Sequence, residues 1–383
     1  MFILLGGSQP AQTLTRALEF THADHFPHLP GFVTFAPHWH FALTDQVSAH
    51  EAGWVPPFKS TLEAIGVDAI MPMDFHGDGH PYDLTRLRLR ELTAYHSISR
   101  ALSDSRFLVI PAEEGNTILG GHWAIAFPHD VLFFFDRKPG EPLTSQDSIF
   151  GHVYHVKTQD DVLAMVKAED GLLYTTHPRT KGSTGFPDGY FASAFFRDPV
   201  FLGAGWKAMP SDLSSPRLGE RAFKTLDDLN NLGFHKLTVG EVDVFQLAPG
   251  DELYSQVNVN YLPLERLPDY EHRGLVLKAV SEGNGFISTG EILLPHVNVA
   301  ALPAGVDIDA DVTSTFPLRS AEIVWGQGGS THRKIVDLSS NPAFETRTFH
   351  WHADAPGWAW VRVAVWDIAG DGAFTNPTWN EAR

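Results

Sequence analysis

A chain of 383 residues is longer than one ordinary hydrophobic core organises, which points to a large catalytic domain with a smaller module. Hydrophobic residues make up 43%, with 10 Trp and 27 Phe, enough apolar surface to order the whole length and to exclude extensive disorder. The net charge of -18, with no Lys/Arg cluster, leaves counterion release no basis, so no nucleic-acid partner is expected, and zero Cys excludes disulfides and thiolate metal sites.

In chain order, short apolar runs at Gly31–Phe35, Val67–Met71, Phe107–Ile110, Gly171–Thr175 and Val239–Phe245 read as strands. Helical stretches separate them at Pro57–Ile65, Leu84–Ser103, Thr158–Ala168 and Leu218–Leu232. Repeated βα units of this kind predict an α/β fold with a β/α barrel-like domain, whose chemistry gathers at the C-terminal ends of the strands. A helix over Gly274–Glu282, closed by Gly283, marks a boundary. Beyond it, Ile292–Val299, Val306–Thr313, Ala321–Trp325, Arg347–His352 and Trp358–Trp366 alternate as strands, which predicts a C-terminal β-sandwich. The expected domains are therefore 1–285 and 286–383. No apolar run reaches the roughly eighteen residues of a membrane span, and Met1–Leu5 is too short for a signal peptide. The expectation is a soluble, cytoplasmic protein with no membrane partner, or a secreted or periplasmic one if a leader has been removed.

With thiolates excluded, a tight metal site must draw on carboxylates and on the 20 His. Five strand ends carry such groups. Pro37-His38-Trp39-His40, followed by Asp45, places two imidazoles two residues apart, on one face of a strand. Met73-Asp74-Phe75-His76-Gly77-Asp78-Gly79-His80 is a glycine-loosened loop suited to surrounding a cation. Pro111-Ala112-Glu113-Glu114 precedes Gly120-Gly121-His122, and at least one glutamate is expected to face inward. Thr176-His177-Pro178-Arg179 follows Leu172–Tyr174. Glu241-Val242-Asp243 puts two carboxylates on one face of an apolar strand, a costly arrangement without a cation. A second His-x-His, His350-Trp351-His352, is read as an ordinary strand face with no carboxylates around it.

Together these motifs resemble the polymerase-and-histidinol-phosphatase (PHP) superfamily, in particular its CehA/McbA-like metallohydrolases. The resemblance runs from about Phe32 to Phe245, and Ser288-Thr289-Gly290-Glu291 and Thr375-Asn376-Pro377 look like that family's sandwich-flanking segments. It implies one to three divalent ions, Zn or Mn with Fe as an alternative, hydrolysing an ester, carbamate or phosphoester of a small molecule. His38, His40 and Asp45 match the opening motif, Glu114 the acidic position, His122 the Gly-His position and His177 the His-Pro position. The family's Thr-Asp-His is here Asp74-Phe75-His76, so His76, Asp78 or His80 takes that ligand role. Its late Gly-Ser-Asp-x-His is not recognisable, so Glu241 or Asp243 replaces it or the last metal position is absent.

In the enzyme reading, the metals activate a water and polarise the substrate. Asp45 or Glu114 bridges or orients, and His76 or His122 shuttles a proton. Arg179, with Lys181, stabilises developing negative charge. Lys207 is a further candidate, because Gly203 and Gly205 allow a ligand to approach closely and Trp206 can stack on it. The competing reading is a metal-stabilised binding or adhesion protein with a vestigial barrel site, motivated by Trp325, Trp351, Trp358, Trp360, Trp366 and Trp379. Nothing in the sequence fixes the oligomeric state.

Overall fold

The computed structural model describes residues 26–41, 43, 57–74, 86–116, 118–178, 192–206, 220–244 and 258–380. Its first half runs β1 (Val33–Trp39), α1 (Pro57–Ala64), β2 (Ala69–Pro72), α2 (Arg86–Leu102), β3 (Leu108–Val109), β4 (Ala112–Gly115) and β5 (Trp123–Ala126). Three short strands follow, β6 (Phe133–Phe134), β7 (Thr144–Asp147) and β8 (Gly151–His155), then α3 (Gln159–Ala168), β9 (Leu172–Thr175), α4 (Ala194–Arg197), β10 (Phe201–Trp206), α5 (Glu220–Asn231) and β11 (Leu237–Gly240). The remainder is β12 (Val259–Leu262), α6 (Gly274–Glu282), β13 (Phe286–Ser288), β14 (Ile292–Leu302), β15 (Gly305–Ser314), β16 (Leu318–Gln327), β17 (Ser330–Asp337), β18 (Glu345–Asp354), β19 (Trp360–Asp367), β20 (Gly372–Thr375) and β21 (Thr378–Trp379).

Local chemistry sets the ends of these elements. Thr158 caps α3 in a reciprocal capping box with Asp161, and Gly283 ends α6 in the left-handed conformation at φ 67°. β1 is buried at every position, as a strand between two neighbours should be. It pairs in parallel with β2, and β2 with β3, which are the crossovers that α1 and α2 supply. β9, β10 and β11 form a second parallel block, with α4 and α5 as crossovers.

The expected barrel is seen as a mixed α/β arrangement, and among the described residues no sheet closes on itself. The two parallel blocks belong to different sheets, one in the order β17-β16-β19-β20-β13-β12-β1-β2-β3 and the other β11-β10-β9-β5-β4. They meet at two corners. At one, the chain passes from β3 directly into β4. At the other, the residues after β11 bond to both blocks: Glu241 N–H donates to Trp206 O at 2.8 Å, Val242 N–H to Pro37 O at 3.1 Å and Asp243 N–H to His38 O at 2.7 Å. Asn260 pins this corner, its amide donating to Phe35 O and Gly240 O while its oxygen accepts from Gly240 N–H.

Beyond residue 285, β14, β15 and β18 make a three-stranded antiparallel sheet, while β16, β17, β19 and β20 continue the long sheet, which therefore crosses the α6–β13 region without a break. Val306, Ile308, Ala310 and Val312 on β15 alternate with exposed or half-buried partners, and they share one apolar cluster with Ile323, Val361, Val363 and Val365. Trp325, Trp351, Trp358, Trp360 and Trp366 are all buried, so these rings are core and not a ligand platform. The expectation for His350 and His352 needs correction. Register places them opposite Asp309 and Asp307, and their Nδ1 atoms lie 2.5 and 2.7 Å from those carboxylates on an exposed face.

Candidate metal centre

The corner between the two sheets collects the histidines and carboxylates of β1, β4, β9 and the segment after β11. β1 runs through the His38-Trp39-His40 motif, with an irregular register against β2 between Pro37 and Trp39 and with His38 at φ 77°. That backbone kink brings the two imidazoles together, their Nε2 atoms 3.1 Å apart. Both remaining ring nitrogens are engaged behind them: His38 Nδ1 lies 2.8 Å from Glu241 Oε2, and His40 Nδ1 lies 3.0 Å from Met73 O. With each Nδ1–H donating outward, both Nε2 lone pairs point at one spot, the orientation that a partner behind each ring gives a metal-ligating histidine.

Glu114 closes the spot from β4. Its Oε1 lies 3.4 Å from His38 Nε2 and 3.2 Å from His177 Nε2, while its Oε2 lies 3.5 Å from His40 Nε2. Asp243, held at φ 55°, places Oδ1 3.7 Å from His38 Nε2 and 3.5 Å from His40 Nε2, and Oδ2 3.6 Å from His177 Nε2. His38, His40, Glu114, His177 and Asp243 are all buried. Two overlapping donor groups result, His38/Glu114/His177 and His38/His40/Asp243, and each can hold a metal ion.

The spacing itself tests the fit. Donors about 2.0–2.2 Å from a Zn-like ion lie roughly 3.0–3.6 Å from one another at octahedral to tetrahedral angles. The observed edges run from 3.1 Å to 3.7 Å, within that range or about 0.1 Å beyond it. Two neutral imidazole lone pairs facing each other would repel, so this geometry calls for a cation or a proton between them.

The electrostatics agree. Burial pushes the His38 imidazole down, but the negative charges of Glu114, Glu241 and Asp243 outweigh it and raise its pKa from 6.5 to about 10. Burial pushes Glu114 up, yet His38 and the hydrogen bonds from His122, His177 and His38 hold it well below the usual carboxylate range. In the metal-free protein, a proton on His38 therefore occupies the place a cation would take.

Glu241 does different work from Asp243. It accepts from His38 Nδ1–H and from the His177 backbone N–H, so it aims two ligands and is not grouped as one itself. The expectation of two carboxylates side by side on a strand thus gives way to two distinct roles, because β11 ends at Gly240 and the backbone turns. Glu113 faces away from its neighbour and pairs with the buried Arg88 at 2.5 Å. His122 Nδ1 lies 2.8 Å from Glu114 Oε1, and its ring is half-buried. Asp74 accepts from Leu43 N–H at 2.5 Å and belongs to neither donor group. Asp45, His76, Asp78, His80, Arg179, Lys181 and Lys207 lie outside the described residues.

The reading of the glycines beside Lys207 is corrected. Trp206 is buried against Phe223 and Phe374, and the room at Gly205 is taken by the Glu241 carboxylate. Sequence reasoning missed Thr176 as a partner, whose hydroxyl donates to Glu114 Oε1 at 3.0 Å, although it stands next to His177. It also missed Tyr95, whose OH donates to Pro72 O at 2.6 Å and ties the ends of β2 and β4 together.

Fold and site thus define a mixed α/β protein with a buried His/Glu/Asp centre that can hold a metal ion. The chain matches no protein-family description and no curated protein. Among solved structures it is similar to Endonuclease Q in complex with a 27-mer duplex substrate with an abasic lesion at the active site. That match has a TM-score of 0.34 and 13% identity, and it covers 65% of this chain and 57% of that one. A likeness at that level carries neither substrate nor mechanism across. The expectation that no nucleic acid is a partner is not retained, the matched protein being bound to a duplex. The physical reason is that a charge summed over a whole chain does not describe the local field that meets a phosphate. No described helix is long and apolar enough to cross a membrane.

Proposed function

We propose that this chain is a metal-dependent hydrolase of PHP type that cleaves an ester, carbamate or phosphoester bond of a small molecule. The observation that carries the reading is the convergence of His38, His40, Glu114, His177 and Asp243 at coordination-edge spacing in a buried corner. Zn or Mn is the favoured ion, with Fe as an alternative, one to three per chain. A divalent ion held there supplies Lewis-acid activation of a water and of the scissile group.

The chain's own residues prepare that chemistry. Glu241 and the Met73 carbonyl fix the tautomers of His38 and His40 so that both Nε2 atoms stay available. Glu114, with one oxygen toward His40 and the other toward His38 and His177, would hold an ion through its carboxylate. His122 binds Glu114 through Nδ1 and keeps Nε2 for accepting and returning a proton. Asp45, Asp74 and His76 are assigned to further ligand positions by the sequence resemblance, and Arg179 to charge stabilisation because its cationic side chain follows His177 in sequence. The same resemblance motivates a distorted barrel over 1–285 and a β-sandwich over 286–383.

The test is hydrolysis of aryl ester, carbamate and phosphoester substrates by the purified protein before and after chelation, with metal restored in the last step. Chelation should abolish turnover of the carbamate and the phosphoester, and the metal should restore it. Full activity of the metal-free protein would end the reading.

A further inference from the structure

Between Glu114 and His177 in sequence, the excursion β6–β8 builds a second constellation. His155 Nδ1 lies 2.8 Å from Asp136 Oδ1, and His155 Nε2 lies 2.8 Å from Ser145 Oγ. The register explains the convergence. β8 sits between β6 and β7, with Phe134 opposite His155 in the parallel pair and Ser145 opposite Val153 in the antiparallel one. Alternation then turns Phe134, Asp136, Val153, His155 and Ser145 to one face. The inner part of that face is apolar, with Phe134 and Val153 buried against Leu89. Phe134 also stacks on the His155 ring, centroids 5.6 Å apart, which fixes the imidazole plane. The outer part, carrying the polar three, opens into a cavity of about 820 Å³ that Arg137, Lys138 and Lys157 also line.

We propose that Asp136, His155 and Ser145 form a serine-nucleophile site for carboxylic esters, separate from the metal centre and independent of it. The order of contacts is the one acyl transfer needs: a carboxylate on Nδ1–H holds the tautomer in which Nε2 can accept the hydroxyl proton. Ser145 is exposed, so its oxygen is within reach of a ligand in the cavity. β7 is the outer strand of its sheet, and because Ser145 pairs inward with β8, the next residue, Gln146, turns its N–H to the free edge as a donor for a developing oxyanion.

The step balances within the chain. Ser145 Oγ bonds to the carbonyl carbon as its proton passes to His155 Nε2. The bond to the leaving alcohol breaks, and that alcohol takes the proton from Nε2. Water then attacks the acyl group by the same route, releasing a carboxylic acid and restoring Ser145. The lining selects within the ester class. Arg137 is already paired with Asp161, and Lys138 with Glu141, which also lines the cavity, whereas Lys157 is exposed and makes no ion pair among the described residues. An acyl chain ending in a carboxylate is therefore favoured over a neutral one.

The full-length protein, stripped of metal and treated with an alkyl fluorophosphonate, tests the site by peptide mass mapping. One adduct on Ser145 is expected, absent in Ser145→Ala, with labelling at least about a hundredfold slower in His155→Ala. An aryl hemisuccinate should be hydrolysed in preference to the aryl acetate, and Lys157→Ala should remove that preference. Asp136 positions His155, so Asp136→Asn should lower kcat for the hemisuccinate with little change in KM. No adduct, an adduct spread over several serines, or equal labelling in His155→Ala would overturn the proposal and leave the three residues as a polar finish to the sheet. Equal rates for the two esters would overturn the anionic assignment.

Discussion

A single methyl added at Gly205 should weaken metal binding without touching any ligand. A Cβ built there falls 2.7 Å from Glu241 Oε2 and closer still to Oε1 and Cδ, well inside the roughly 3.4 Å of ordinary contact. Glu241 is fully buried and has to move by something on the order of 1 Å, which its bonds to His38 Nδ1, now 2.8 Å, and to His177 N–H do not tolerate. Losing an outer partner of a ligating histidine typically costs about ten- to a hundredfold in metal affinity. Overpacking adds about 1–3 kcal/mol of destabilisation. Metal competition against a chromophoric chelator reads the first effect and thermal unfolding of the metal-free protein the second. Because Gly205→Ala and Glu241→Gln act on the same bonds, the double variant should lose much less affinity than the two single losses summed. Parental affinity in Gly205→Ala, or fully additive losses, would refute the assignment of Glu241 as the group that aims His38.

Three further outcomes are expected. His38→Ala or His177→Ala should abolish metal-dependent turnover and lower metal content, with only modest loss of folded protein, as metal analysis and circular dichroism would record. Since the His38 pKa is raised from 6.5 to about 10 in the metal-free fold, its contribution to stability is fully present below pH 6.5 and lost as pH rises through about 10. The melting temperature of chelated protein should fall across that window, and metal uptake near pH 8 should release a proton into weakly buffered solution; a flat profile would contradict the shift. Replacing both His350 and His352 by Ala should leave metal content unchanged, because neither belongs to a donor group among the described residues and their Nδ1 atoms are engaged by Asp309 and Asp307.

Where elements were long and strongly periodic, the sequence placed them within a few residues: α2, α3, α5 and α6 follow the expected helices, and β14, β15, β16, β18 and β19 the expected strands. The candidate ligands His38, His40, Glu114 and His177 drew notice because each stands at the end of an apolar run, and strand ends are where a sheet exposes chemistry. The division of labour between Glu241 and Asp243 was not, since it rests on a left-handed residue and on hydrogen bonds to two different strands. The carboxylate partners of His350 and His352 depend on cross-strand register, which a linear spacing does not contain. β6, β7 and β8 were invisible because β6 has two residues and the polar TSQD and GHVYH of β7 and β8 do not stand out as apolar runs. Asn260, which clamps the corner beneath the site, is a lone amide in an apolar strand and gives no pattern to read.

The most direct test of the metal centre is anomalous diffraction at the metal edge from crystals of the protein reconstituted with Zn or Mn after chelation. The account predicts a peak about 2.0–2.3 Å from His38 Nε2 or His40 Nε2, in the corner closed by Glu114, His177 and Asp243. A peak elsewhere in the molecule, with that corner empty, would contradict it.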